Sequence, residues 1–556
     1  MVIRFKWYFL FLALILILAF ILRFYKLSSI PNGFYFDEVT LGVDSYTIAH
    51  SLTDEFGNFA PDFFRIGADF RHPALVYITA PFVKILGLNI FAVRAPTALL
   101  GVLTVLLVYL LTEKLFKQKS LALLSALLLA ISPWLINLSR SANDAIFALF
   151  FLLLADTLFV YGITQKKKSY IYLTYVFALL AWFSYSGAIL MSTIHMAAFL
   201  AFAFLARSPR NIKFAALAVL IAFVIFPNCF YAFAGLEKLT GRFDQVSIFS
   251  SPGTKLVLQE QIKEDGAENG PIILTRMFHN KVTNYSIDLV NNYVTYLSPQ
   301  FLLGQLQLPV RYKIDRAFLI YLFEPVFLLT GLYFLFKGLN WQKGFVVFML
   351  LAAPIPAALT IEDTPNMQRA IFMIPALGII IAYGIYNLFF VFKKFKLSRR
   401  VFTISILVLV AAYVYLFAYF MHQLFVHQPE HQNWFRDSQW QSASQLFQKL
   451  EPKYSSVYTN SPISYYYLTF YSESFRNFLL NSPSFKNNRS YKDTWQLGKY
   501  NFSSSNCTLR EPKDVKPNSL YINGQVCDTP TWARVVGEAK SSDGTVILRF
   551  LDIPNK

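Results

Sequence analysis

The run RAPTALLGVLTVLLVYLLTEKLF, residues 94–116, carries no charged residue between Arg94 and Glu113. A helix needs about 20 such residues to cross a hydrocarbon core of about 30 Å. Ten further runs of this kind are read along the chain, near residues 7–25, 119–138, 144–162, 169–184, 187–206, 212–232, 316–337, 343–360, 370–392 and 401–422. The expected fold class is therefore an α-helical polytopic membrane protein with about eleven transmembrane helices. Composition points the same way. The chain is 55% hydrophobic and only 15% charged, against about 25% charged in ordinary soluble domains. The first run follows MVIRFK and lacks a small-residue cleavage site, so it reads as an uncleaved anchor and not a signal peptide.

The net charge of +18 does not mark a nucleic-acid binder, because Lys and Arg are concentrated in short loops between apolar runs. KLFKQKS, QKKKS, RSPRNIK, KGLNWQK and KKFKLSRR fall at alternate junctions, on the same side as the basic amino terminus. The positive-inside rule makes that side cytoplasmic. The opposite, outer side then receives a first loop at about 26–93, a large loop at about 233–315, the junctions SRSAND, FSYSG and TIEDTPNMQ, and the carboxyl-terminal tail. Residues 1–422 are expected to form the transmembrane module, and 423–556 a small extracytoplasmic α/β domain. In that tail RDSQWQSASQLFQKL has amphipathic helical spacing, SSVYTN reads as a strand, and ARVVGEAKSSDGTVILRFLD as a hairpin turning at Asp543-Gly544. Cys229 lies in an apolar run; Cys507 and Cys527 lie in the tail, where an oxidising compartment would allow them to pair.

Polar residues on the outer side gather in few places. The stretch GFYFDEVTLG, residues 33–42, sets Asp37 and Glu38 at the start of a helical pattern. A helix N-terminus favours carboxylates there, so either acid could serve as a cap. The next segment, ADFRHPALVYITAPFVKILG, is interrupted at His72-Pro73 and again at Pro81, and reads as a re-entrant or interfacial helix. Arg65 and Arg71 precede it. Arg140, Asn143 and Asp144 in SRSAND, Tyr185 in FSYSG, and Glu362, Asp363, Gln368 and Arg369 in TIEDTPNMQRA complete the outer-face set. Taken singly, each is a hydrated loop residue; clustered ionisable groups at a membrane face favour a functional reading. The chain lacks a GxxxxGK[ST] phosphate loop, an HExxH or other zinc spacing, and a GxSxG elbow. Carboxylate chemistry remains.

The order FYFDE, RHPALVY, FAVRAPTALLGVLTVLLVYLL, then SRSANDAIF, FSYSGA and LTIEDTPNMQRAIFMIPAL, resembles the GT-C superfamily of membrane glycosyltransferases. The likeness is greatest to the bacterial family of protein mannosyltransferases and aminoarabinose lipid A transferases. It spans roughly residues 5–420 and leaves the tail unassigned. The resemblance implies a GT-C fold and a sugar donor on a polyprenyl phosphate. It also implies inversion at the anomeric carbon, on the outer face of the cytoplasmic membrane.

By the same resemblance Asp37 matches the general base and Glu38 its partner, and both are expected as catalytic residues. His72 matches the histidine of the His-Pro motif. The substrate-binding set is His72, Arg65, Arg71, Arg140, Asp144, Tyr185 and Arg369, the arginines being candidates for the lipid phosphate. Aminoarabinose transferases often carry an Arg shortly after the acidic pair, and DEVTLG has none. The WWDYG motif of metal-dependent oligosaccharyltransferases is also missing. No cofactor is required by the sequence, and a divalent metal is compatible but not implied. The expected partners are the polyprenyl-phosphate-sugar donor, a protein, lipid or glycan acceptor, and membrane lipid, with no nucleic acid. Two other classes fit the membrane architecture, a lipid-linked glycan flippase and a non-catalytic envelope scaffold. A transporter usually shows internal repeats, and Pro354 and Pro356 have no counterpart in the first half.

Overall fold

The computed structural model describes residues 7–66, 69–235, 237–266, 272–304, 306, 309–394, 399–430, 436–437, 439–460, 463–481, 495–541 and 544–553. They form two compact units, Met1–Tyr25 with Thr97–Gln423, and Lys26–Pro96 with Leu424–Lys556.

The first unit is helical. Among the described residues of the whole chain, eight helices are long and apolar enough to cross a membrane. They become nine if Lys119–Ala130 and Pro133–Ser139, bent by 55° at their junction, are one span. The bend has a local cause: Ser132 caps the second helix by accepting from the Leu135 N–H, and Pro133 occupies its first turn. Two of the eleven expected runs form shorter helices. Lys168–Trp182 has 15 residues, and Glu324–Phe336 has 13 because Pro325 starts it late in the run. At 1.5 Å per residue both are about 20 Å long, short of a 30 Å hydrocarbon core.

Close packing in this unit depends on glycine at one contact. Glu324–Phe336 and Met373–Lys394 meet through Gly331 and Gly384, whose missing side chains would run into the Ile380 and Phe327 carbonyl oxygens. Small residues let two apolar helices approach backbone to backbone, which is how packing is gained where lipid removes the hydrophobic driving force. Deeper in the bundle His195 Nδ1 lies 2.8 Å from Asp156 Oδ1, both side chains buried. Pairing lowers the cost of carrying ionisable groups among apolar helices.

The second unit joins the first outer loop to the tail. A two-stranded ribbon, β1 (Phe64–Ile66) and β2 (Asp69–Arg71), pairs Phe64 with Arg71 and Ile66 with Asp69. In the tail are β3 (Ser456–Asn460), β4 (Trp495–Leu497), β5 (Tyr500–Ser503), β6 (Ser519–Gly524), β7 (Arg534–Lys540) and β8 (Val546–Asp552). They form one mixed sheet in the order β4-β5-β3-β6-β8-β7. The central β3 is parallel to β5 and β6, and every other pair is antiparallel. The expected tail helix is present as Gln439–Leu450 and the expected hairpin as β7–β8. Its turn residue Asp543 lies outside the described residues, whereas Gly544 adopts φ +86°. Cys507 and Cys527 form a disulfide.

The sequence reading kept residues 26–93 with the apolar module; the structure packs Lys26–Pro96 with the tail. The reason is an aromatic seam. Phe34 meets Phe470 at 4.7 Å between ring centroids, and Phe36 meets Tyr466 edge to face at 5.4 Å. The helix Phe36–Ser51 is buried on most of its faces, so it needs cover that its own loop is too short to supply. Gly42 marks the closest approach: a Cβ there would lie 2.7 Å from the Phe470 ring and 3.1 Å from Val93.

Candidate active site

Asp37 and Glu38 occupy the first turn of the Phe36–Ser51 helix, where the N-terminal end of the dipole stabilises negative charge. Neither acid is the cap. That position belongs to Tyr35, whose side chain makes no capping bond. The two neighbours then have opposite surroundings.

Glu38 is fully buried and bound by two arginines. Arg94 donates from Nε to Oε1 and from Nη2 to Oε2, both at 2.9 Å, and Arg436 adds a third contact to Oε2 at 3.1 Å. Arg94 also donates to the carbonyls of Leu27, Pro31 and Gly33, so one guanidinium gathers the whole lead-in to the helix. Asp37 is exposed. Among the described residues its carboxylate makes no hydrogen bond or ion pair, while its backbone carbonyl accepts from Arg71 Nη2 at 2.6 Å. Arg71 is held in turn by Asp44 at 3.0 Å and the Thr40 hydroxyl at 2.8 Å.

The β1–β2 ribbon thus delivers one of the expected arginines, Arg71, to the acidic turn. Arg65 sits on the same ribbon, opposite Phe70 and exposed. His72 follows directly as the residue that precedes the helix Pro73–Leu86. The expected interfacial segment is that single helix, and Pro81 lies inside it. The His72 ring is buried edge-on to Phe63, and burial lowers its pKa to about 4. At neutral pH it presents a neutral imidazole and not a cation.

The remaining candidates belong to the first unit. Asp144 accepts from Gln368 Nε2 at 2.9 Å, which brings SRSAND and TIEDTPNMQRA together. That second stretch is folded on Asn366, whose Oδ1 accepts the N–H groups of Gln368 and Arg369. Arg369 turns back onto Glu362 at 2.8 Å and onto the Thr360 hydroxyl at 2.9 Å. Arg140 is fully buried and donates to the Leu22 and Tyr25 carbonyls at 2.7 Å. Tyr185 precedes the helix Ser186–Leu205, its ring against Gly187. Among the described residues no three His, Cys, Asp or Glu side chains gather in a way that could hold a metal ion.

Several site residues went unrecognised in the sequence. Arg94 carried a signal, since a charge opening an apolar run requires a partner. Arg436, Tyr466 and Tyr467 carried none, lying some 400 positions from the first-loop residues they touch. Tyr466 donates to the buried Glu55 at 2.5 Å, and the Tyr467 hydroxyl lies 3.0 Å from the Phe34 carbonyl.

Residues 71–231 match the dolichyl-phosphate-mannose-protein mannosyltransferase family, a stretch that begins after the acidic pair. No curated protein matches the chain in sequence. The structure of ArnT from Cupriavidus metallidurans bound to undecaprenyl phosphate superposes with a TM-score of 0.54, covering 98% of both chains at 11% identity. The chain has the GT-C fold. The apo form of the same ArnT gives 0.52 over 98% of this chain and 97% of that one, also at 11% identity. The archaeal oligosaccharyltransferase AglB from Archaeoglobus fulgidus, in complex with an inhibitory peptide and a dolichol-phosphate, gives 0.50 at 15% identity. That match covers 84% of this chain, which spans 64% of AglB. Its many apolar helices and its GT-C fold make the chain a multi-pass membrane protein.

Proposed function

We propose that the protein is an inverting glycosyltransferase that moves a sugar from a polyprenyl phosphate to an acceptor hydroxyl at the outer face of the cytoplasmic membrane. The observation that carries this reading is the contrast inside one helical turn. Glu38 is consumed by Arg94 and Arg436, whereas the adjacent Asp37 carboxylate is held by its backbone and left unengaged among the described residues. A general base needs that combination of fixed position and open lone pairs.

In the reaction Asp37 takes the proton from the acceptor O–H as the oxygen attacks the anomeric carbon. The new C–O bond forms while the bond from that carbon to the phosphate oxygen breaks, and the electron pair leaves with the polyprenyl phosphate. Charge grows on the phosphate, so cations must face it. Arg71 is the expected arginine in contact with the Asp37 residue, and Arg65 shares its ribbon. His72, neutral and buried, shapes the pocket wall. The lipid phosphates in the ArnT and AglB structures support a donor of this class. Protein, lipid and glycan hydroxyls are all compatible acceptors. The alternating basic loops support a cytoplasmic amino terminus, and the Cys507–Cys527 disulfide supports an oxidising, outer location for the tail.

Purified protein supplied with radiolabelled polyprenyl-phosphate sugars and cell-envelope acceptors transfers label, and Asp37→Asn lowers that rate about 100-fold or more, the scale of a lost general base. Full activity in Asp37→Asn would remove Asp37 from this role.

A further inference from the structure

Asp37, Thr40 and Asp44 stand at i, i+3 and i+7 of the helix Phe36–Ser51, so they share one stripe of its surface. The stripe runs from outside to inside: Asp37 meets solvent, whereas Thr40 and Asp44 are buried. Arg71, the last residue of β2, lies along it. Its Nη1 donates to Asp44 Oδ2 at 3.0 Å, and its Nη2 donates to the Thr40 hydroxyl oxygen at 2.8 Å and to the Asp37 carbonyl at 2.6 Å. The Arg71 and Asp44 side chains are 8% and 3% exposed, so the pair is closed off from water. Burial pushes the Asp44 carboxyl above the ordinary carboxylate range, and Arg71 is the cation that pulls against it.

One guanidinium therefore touches the Asp37 residue without engaging its carboxylate. Arg71 already holds the carbonyl of that residue, so a change of side-chain rotamers suffices to bring the two charged groups together. A charge-assisted bond to a carboxylate is about twice as strong as one to a neutral acceptor, which favours that change wherever Arg71 is released. The other basic groups near the turn are engaged or uncharged: Arg94 and Arg436 bind Glu38, and His72 is neutral. The neighbouring acids have partners as well. Asp54 accepts from the Asn58 side chain at 2.8 Å, Glu55 from Tyr466 at 2.5 Å, and Asp437 from Tyr467 at 2.8 Å. Among the described residues Asp44 is the acid whose side chain binds Arg71.

We propose that Asp44 is a positioning residue of the active site: by anchoring Arg71 on the inner part of the stripe it keeps that guanidinium off the Asp37 carboxylate, which stays open to the acceptor. The inference rests on the reading of Asp37 as general base.

The test sets Asp44→Ala, which removes the anchor, beside Asp44→Asn, which keeps an oxygen for Arg71. Transfer is measured with the radiolabelled polyprenyl-phosphate mannose, glucose or aminoarabinose that supports turnover. For Asp44→Ala the expected result is a kcat lower by about 10-fold or more, with the donor KM within about twofold of the parent. The acidic limb of its kcat profile moves to lower pH, because a guanidinium paired with Asp37 favours the charged carboxylate. Labelling of Asp37 by a carbodiimide, read by mass spectrometry, needs no turnover and falls severalfold. Asp44→Asn stays within about threefold of the parent in kcat and labelling, since its oxygen still accepts from Arg71. The double variant Asp44→Ala/Arg71→Gln recovers parental labelling, because the intruding guanidinium is gone; a fold damaged at Asp44 is not repaired by a second substitution. Parental kcat, acidic limb and labelling in Asp44→Ala, or low labelling that persists in the double variant, overturn the positioning role alone while Asp37→Asn is inactive. An active Asp37→Asn overturns the reading of the base instead. If Asp44→Ala does not fold, Thr40→Val, which removes another anchor of Arg71, is judged by its acidic limb and labelling in the same directions.

Discussion

Glu38 and Asp37 are neighbours with the same chemistry and different fates, and burial separates them. Glu38 gives up hydration completely and is compensated by two guanidinium groups. Removing one side of such a pair strands buried charge, at a cost of about 3–5 kcal/mol. Glu38→Gln is therefore expected to lose stability on that scale. It leaves Arg94 and Arg436 facing a neutral amide, and unfolding in detergent followed by tryptophan fluorescence reads the loss. A variant as stable as the parent would show that the arginines are satisfied by the carbonyls around them. At this scale the sequence was informative about residue type and silent about assignment. DE at a helix start is equally a cap or a catalytic pair; that neither acid is the cap follows from Tyr35 holding that position and Arg94 engaging Glu38.

Helices in this chain are set by apolar length, and their contacts by the smallest residues. Gly384 lies where the Met373–Lys394 helix touches the Phe327 backbone, so a larger side chain must push the two helices apart. Overpacking of a tight contact costs about 1–3 kcal/mol, and backbone offers less room to yield than a side chain. Gly384→Val should lower the thermal midpoint of the purified protein by several degrees, while Gly338→Val, at a turn with no nearby backbone, is limited to the local cost of its φ of +80°. Equal midpoints for parent and Gly384→Val would mean that these helices tolerate separation. The run at 316–337 was legible as apolar but not as short. Hydropathy reports composition over a window, whereas helix length depends on where Pro325 and the turn at Phe183 interrupt the backbone.

For the whole molecule the decisive quantity is which side of the membrane each loop occupies. Single cysteines placed at Lys166 and at Gly544, in a background lacking Cys229, test the proposed sidedness. A membrane-impermeant maleimide added to intact spheroplasts is expected to label the Gly544 position and to spare Lys166 until the membrane is opened. Labelling at Lys166 in sealed spheroplasts would reverse the orientation and with it the outer location of Asp37. The physical basis is the clustering of lysines at alternate junctions, QKKKS among them.

The sequence by itself determined that the chain crosses a membrane many times, that basic loops alternate, and that an acidic pair and a His-Pro step follow the first span. Those properties depend on composition and short-range order, which hydropathy and charge express directly. Only the tertiary structure decided that Lys26–Pro96 packs with the tail and that Arg436 meets the acidic turn. It also decided that Glu38 is consumed while Asp37 is left open. Such contacts join residues about 400 positions apart, and no local periodicity records them. They form because a helix buried on most faces, with a charged carboxylate, must find its cover and cations wherever the folded chain brings them.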